Sequence, residues 1–491
     1  MQILQIVLLA IVFLSLALLM FLRKIPALLA LPFMAFLIPI ICGVSITDTI
    51  QYVIGQGSLK LHNAYTIAMF GSMLSIFLQK TGIAESFIKK GAELSGDKPW
   101  TIAVIMLAII ILLFTTLNGL GAIIMVATIV LPIMSSVGIG SMTIVGIFLI
   151  GLSIGGTLNA GNWAVYIDVM NLTVAEVRSF ALVMFGLTFI ASLIYITIQL
   201  FRDGHELNLK KIFVASLAVI LFVTALAITY NSLSVDLQES VSEIFSSSFY
   251  VLKILLAGGI ILLFALIIFR LLFSNEDKNK VHWTAYFTPI LPLLLILIFE
   301  MNFIAAFISG LIYGLLSSFK KGIMNTFIRS IFEGGSVVMP AVVLMLGIGM
   351  LLNAIMGPGG EWNSSHPEGW PVLNLLKPLM MKIVPENPLT YVLTFTLAAP
   401  LALYRGPLNV WGMGYGLAAV FLASGMNPAS IMGLLLAVGQ IQGISDPTNT
   451  HNVWLANEMR VDVQKVLWNT IPYTWALAFV GLIASALMFM N

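Results

Sequence analysis

Arg405, Asp446 and His451 are ionisable residues set inside apolar sequence, each beside glycine, proline or asparagine. An ionisable group is costly to keep at membrane depth, so its presence there marks function. Arg405 opens the run Arg405-Gly406-Pro407-Leu408-Asn409. Its guanidinium could grip a carboxylate through two parallel hydrogen bonds, or pair with Asp446 as an internal ion pair. Asp446 lies in Ser445-Asp446-Pro447-Thr448-Asn449-Thr450-His451-Asn452. It suits three roles: ligand of a coupling cation, proton carrier, or counter-ion to Arg405. His451 has a side chain that titrates near neutral pH when unperturbed, and among asparagines it also serves as a plain hydrogen-bond partner.

A second polar set is uncharged. Thr115, Thr116, Asn118 and Gly119 interrupt one apolar run, and Gly155, Gly156, Thr157, Asn159, Gly161 and Asn162 interrupt another. Helix ends at such interruptions offer free N–H groups to an anion and free carbonyls to a cation. The expected substrate contacts are therefore Thr115, Thr116, Asn118, Gly119, Asn159, Asn162, Arg405, Gly406, Asn409, Thr448, Asn449 and Asn452. Thr157, Ser445, Asp446 and His451 are assigned to a coupling ion. Asp168 and Glu458 fall beyond the interruptions, nearer a membrane surface, and stay outside the site. His62, His205, His282 and His366 are dispersed and suggest no metal centre.

The elements that position these residues must be membrane helices. Of 491 residues, 60% are hydrophobic and 9% charged, against roughly 25% charged in soluble domains. A soluble enzyme, a DNA-binding module and a disordered chain are excluded. The net charge of +2 implies no nucleic-acid partner, and the single cysteine, Cys42, allows no disulfide framework. Met1 to Leu22 reads as a first span rather than a cleaved signal, because no basic segment precedes it. Further spans are expected at 25–44, 64–79, 143–170, 181–200, 212–229, 248–273, 283–299, 303–319, 337–356, 430–458 and 467–490. The pairs 101–136 and 388–425 read as re-entrant hairpins. With the N-terminus outside, most of the 23 basic residues fall on the cytoplasmic side, as the positive-inside rule requires.

The chain also repeats itself. Residues 115–177 align with 404–466, with Asn118 matching Asn409, Gly138 matching Gly425, and Gly146 matching Gly433. Asn159 and Asn162 match Asn449 and Asn452, and Asp168 matches Glu458. The polar breaks fall in the same order, which shared leucines alone would not produce. The expected fold is an all-α polytopic membrane protein of about twelve spans. It holds two inverted repeats, each with a re-entrant hairpin and a broken helix, the mark of secondary transporters. The expected organisation is 1–63 N-terminal scaffold, 64–211 first repeat, 212–336 linker spans, and 337–491 second repeat.

The order of elements resembles the ion transporter superfamily of secondary carriers, which includes citrate and dicarboxylate carriers. The stretch 81–100, TGIAESFIKKGAELSGDKPW, resembles its first amphipathic helix. Within it the gluconate-permease family is the nearest resemblance. It rests on Arg405-Gly406, on Ser445, Asn449, His451 and Asn452 followed by Trp454, Leu455 and Glu458, and on the stretch 461–483. Asp446-Pro447, Pro407 and the run Thr115-Thr116-Leu117-Asn118-Gly119 depart from that family's pattern. The resemblance implies a hairpin-based elevator mechanism, a homodimer, and gluconate as substrate.

Together these readings predict a secondary active symporter of a small organic anion in the inner (cell) membrane. It needs no cofactor beyond a coupling sodium ion or proton, both left open. The alternative is a cation/proton antiporter without organic substrate, which leaves Arg405 unexplained. No nucleotide-binding, metalloprotease or serine-hydrolase motif is present, so an enzyme is not expected.

Overall fold

The computed structural model describes residues 2–22, 24–94, 96–206, 235–273, 281–359, 362, 366, 368–380, 384, 385, 387–410 and 414–490, and their regular structure is entirely helical. The expected span 212–229 lies outside the described residues. Among the described residues seven helices are long and apolar enough to cross a membrane, or eight if the bent pair Ser141–Thr157 and Ala160–Met170 counts as one span. The difference from twelve lies partly in short elements. Residues 25–44 yield only α2 (Ala27–Ile41), after α1 (Gln2–Phe21). Residues 283–299 become a 3-10 turn, Trp283–Phe287, and a short helix, Leu291–Leu297.

Helical backbone then runs almost without a break from Ile46 to Lys80, through a π-helical stretch Thr49–Gln56, into α3 (His62–Lys80). Gly57 explains how this run packs. A Cβ there would sit 2.8 Å from the Met350 Cα atom, so two backbones touch. Without a hydrophobic drive between helices in lipid, such close approach at small residues supplies the packing. α4 (Ile83–Leu94) is amphipathic: Ile83, Ala84 and Ile88 are buried, while Lys89–Glu85 and Lys90–Glu93 pair on the exposed face.

The first hairpin is α5 (Pro99–Phe114) and α6 (Leu120–Ser136). Each helix is about 25 Å long at 1.5 Å per residue, short of the roughly 30 Å hydrocarbon layer. α7 (Ser141–Thr157) and α8 (Ala160–Met170) form the first interrupted helix, bent by 51° at the break. α9 (Val174–Arg202) follows, started by a reciprocal capping box between Thr173 and Glu176. α10 (Val235–Phe273) begins ahead of the span expected at 248–273. Next come α11 (Leu291–Leu297), α12 (Phe303–Ser317) and α13 (Ile323–Met356). α13 runs straight through the boundary expected at 336. Gly334 and Gly335 do not break it, because Gly334 is where α13 meets α3: a Cβ there would lie 2.5 Å from the Met73 Cα atom.

After α14 (Pro371–Met380) comes the second hairpin. It consists of α15 (Pro388–Ala398), a 3-10 extension Ala399–Arg405, and α16 (Tyr415–Ser424). α17 (Pro428–Ser445) and α18 (Thr450–Glu458) form the second interrupted helix, and α19 (Val463–Phe489) ends the chain's regular structure.

Aligned positions do the same work in both halves. Gly138 and Gly425 close the two hairpins at φ of +81° and +90°. Asn159 and Asn449 are the N-caps of α8 and α18. Asn171 and Arg460 follow those helices with φ of 53° and 56°, and Thr173 and Asp462 then cap α9 and α19. Gly146 and Gly433 are gaps filled by side chains of the next helix, Tyr195 and Ser485 respectively. Gly146→Ala is therefore expected to destabilise by about 1–3 kcal/mol through overpacking, because the buried Tyr195 ring has no room to move. Gly433→Ala should cost less, since the Ser485 hydroxyl can rotate away and the Ser485 Cβ, at 2.7 Å, is then the one atom that must shift. Thermal unfolding of the purified variants checks that order.

Candidate substrate site

A cavity of about 420 Å³ lies where the first hairpin tip, both interrupted helices and the start of α16 converge. That volume is within the usual range for a small-molecule site. Asn118, Gly119, Thr157, Asn162, Asn449 and His451, all expected from the sequence, line it. Gly119 and Thr450 are exposed and mark its mouth.

The helix ends at the breaks are not equivalent. Three carbonyls near the end of α17 face side chains from the start of α18. Asn449 Nδ2 donates to Gln442 O at 2.6 Å, and Asn452 Nδ2 to Ile444 O at 3.1 Å. His451 Nε2 lies 3.5 Å from Gly443 O. In the first repeat Asn162 Nδ2 donates to Gly156 O and Trp163 Nε1 to Thr157 O, both at 2.7 Å. The carbonyls expected to be free for a cation are therefore engaged by side-chain N–H groups. Two of the N-termini are different. α6 starts at Gly119, which has no side chain to cap it, and α18 starts at Asn449, whose side chain is turned away onto Gln442. Both uncapped ends line the cavity. The α8 start is closed, because Asn159 Oδ1 accepts from Gly161 N at 2.9 Å.

Asp446 is fully buried and does not line the cavity. Its Oδ1 accepts from Tyr404 N, Thr448 N and Thr448 Oγ1, at 3.1, 2.9 and 2.7 Å. Its Oδ2 accepts from Arg405 N at 3.4 Å and Asn409 Nδ2 at 3.3 Å. The alternative of an ion pair with Arg405 is not seen among the described residues, whose ion pairs are Lys80–Glu333, Lys89–Glu85, Lys90–Glu93 and Arg178–Glu300. Tyr404 and Arg405 have φ of 56° and 57°. This left-handed turn aims two successive backbone N–H groups at the carboxylate and leaves the Arg405 side chain exposed, away from the cavity. Asp446 thus ties the second hairpin tip to the break in the following helix.

Other expected residues serve the scaffold. Thr115 and Thr116 donate back to Leu112 O and Leu113 O at the end of α5. Asn159 Nδ2 joins Phe114 O and Asn118 Oδ1, fastening the first hairpin tip to the first break. Ser445 Oγ points to α19, 2.8 Å from Thr470 Oγ1 and 2.9 Å from Thr474 Oγ1. Gly406 is required because a Cβ would collide with the Leu401 carbonyl oxygen.

Sequence reasoning missed Ser153, Gln440, Gln442, Tyr166 and Tyr415, all on the cavity wall. Ser153 Oγ donates to Gln440 Oε1 at 2.8 Å, and Gln440 Nε2 to Thr157 Oγ1 at 3.1 Å. This bridge joins the two interrupted helices. Two glutamines in the otherwise apolar α17 were a readable signal, whereas the tyrosines carried none. Asp168, left out of the site, lines a separate cavity of about 390 Å³ beside the Arg178–Glu300 ion pair.

Short hairpins, interrupted helices and a cavity between their polar breaks are the anatomy of a multi-pass membrane transporter. No family model matches the chain, and no curated protein matches it in sequence, so the resemblance to the gluconate-permease family is not supported. Among solved structures, the YdaH transporter of Alcanivorax borkumensis, reported to have an unusual topology, is similar with a TM-score of 0.51 at 15% identity. The match covers 90% of this chain and 88% of that one. MtrF of Neisseria gonorrhoeae, described with a class of antimetabolite efflux pumps, covers 90% and 83% with a TM-score of 0.46 at 13% identity. At this identity the likeness to YdaH is one of fold alone.

Proposed function

We propose that the protein is a secondary active symporter of a small organic anion in the cell (inner) membrane, coupled to sodium or protons. The single observation behind this reading is that two uncapped helix N-termini, one from each repeat, open onto the same cavity. Each supplies about half a positive charge and free N–H groups, enough together for one carboxylate. The repeats are arranged in inverted fashion, 64–211 and 337–491, and the hairpins move with the substrate as an elevator. The cation/proton antiporter fits less well, because no carboxylate lines the cavity among the described residues.

Uptake into proteoliposomes under imposed sodium or proton gradients tests this. The expected result is accumulation of an organic acid driven by one of the two gradients. Uptake that ignores sodium but collapses with a proton uncoupler assigns the proton. Dye-reported proton movement on sodium pulses, with no acid transported, refutes the symporter.

A further inference from the structure

We infer that the cavity selects a monocarboxylate with an apolar body, and excludes dicarboxylates, tricarboxylates and polyhydroxylated sugar acids. The inference rests on the anion reading above and narrows it. Charge is the first argument. No lysine, arginine, aspartate or glutamate lines the cavity among the described residues. The two helix ends offset about one unit of negative charge, and a second carboxylate would remain uncompensated in a low-dielectric site, where a buried unpaired ion costs several kcal/mol.

Hydrogen-bonding capacity is the second argument. A sugar acid buries one hydroxyl per carbon, and each needs a partner. Several polar groups of the wall are engaged with one another or with backbone: Asn162 Nδ2 donates to Gly156 O and Asn449 Nδ2 to Gln442 O. Ser153 and Thr157 are bridged by Gln440. Gln442 Oε1 accepts from Val410 N at 2.7 Å. The Tyr166 and Tyr415 rings pack against each other, with centroids 6.0 Å apart. Asn118, Thr450 and His451 add polar atoms, and the rest of the wall is hydrocarbon, with Leu117, Leu120, Ile123, Leu152, Leu435 and Leu436 among the lining residues. Such a surface stabilises methylene groups or a ring, not hydroxyls.

The test is binding to the purified full chain in detergent, followed by calorimetry and thermal shift. Uptake is avoided here because apolar acids cross bilayers unaided. The probes are acetate, butyrate, hexanoate and benzoate, with benzamide, succinate, citrate and gluconate. Affinity should rise about fourfold per added methylene along the straight-chain acids. Succinate and citrate should bind at least about 100-fold more weakly than hexanoate. Benzamide, lacking the charge, should bind more weakly than benzoate. Leu435→Asn, which places an amide in the apolar wall, should flatten the chain-length series. If gluconate, succinate or citrate binds as tightly as hexanoate, the selectivity is wrong and the anion reading stands. If benzamide matches benzoate and no acid is favoured, the anion reading itself fails.

Discussion

Asp446→Ala is expected to unfasten the second hairpin and abolish transport. The carboxylate is fully buried and gathers donors from three places: Tyr404 and Arg405 at the hairpin tip, Asn409 beyond it, and Thr448 in the helix break. Alanine removes every acceptor at once. Each buried donor left unmatched costs about 1–3 kcal/mol, so the loss should exceed about 3 kcal/mol even if water enters the gap. Asp446→Asn separates structure from charge. Its carbonyl oxygen can keep the three bonds made by Oδ1. Its amide would then face Arg405 N and Asn409 Nδ2, donor against donor, so an intermediate loss is expected. The measurement is thermal unfolding beside uptake for both variants. An Asp446→Asn protein as stable as wild type but unable to couple would show that the negative charge serves ion coupling instead.

That prediction replaces one the sequence invites, in which Arg405 and Asp446 neutralise each other. The sequence sets the two residues at separate polar interruptions, Arg405 at the hairpin tip and Asp446 in the break of the following helix. Their relation was not legible, because it depends on two consecutive left-handed residues, Tyr404 and Arg405, that turn backbone N–H groups rather than the guanidinium towards the carboxylate. Neither is glycine, so nothing in the residue types announces positive φ there. The hairpins and breaks were legible for the opposite reason. Clusters of glycine, proline and asparagine inside apolar sequence point to irregular backbone at membrane depth, and they recur in the same order in the two halves. Asn159 and Asn449 were correctly placed at the breaks, yet their directions differ: one caps its own helix and the other reaches back to Gln442. Side-chain direction at a helix end is decided by the carbonyls facing it, which the sequence does not display. The run of α13 past residue 336 was hidden similarly, because Gly334 is a contact with α3 rather than a break.

The helix-end reading makes a prediction that a side-chain reading does not. Thr450 is the first residue of α18, and proline is well tolerated at that position because its missing N–H has no partner within the helix. The preceding Asn449 has φ of −67° and ψ of 131°, the extended conformation that proline demands of its neighbour. Thr450→Pro should therefore fold and insert normally while deleting one cavity-facing N–H. A hydrogen bond to a charged group contributes about 1.5–3 kcal/mol, so carboxylate affinity should fall roughly 10- to 150-fold. Thr450→Ala keeps the N–H and removes only the hydroxyl, and it should bind nearly as well as wild type. Titration of both purified variants with benzoate decides the matter. Equal losses in the two would assign the interaction to the threonine hydroxyl, and no loss in either would remove the α18 end from the site. A loss confined to Thr450→Pro, with unfolding temperature unchanged, would place the anion against backbone N–H groups, where the positive end of a helix substitutes for a cationic side chain.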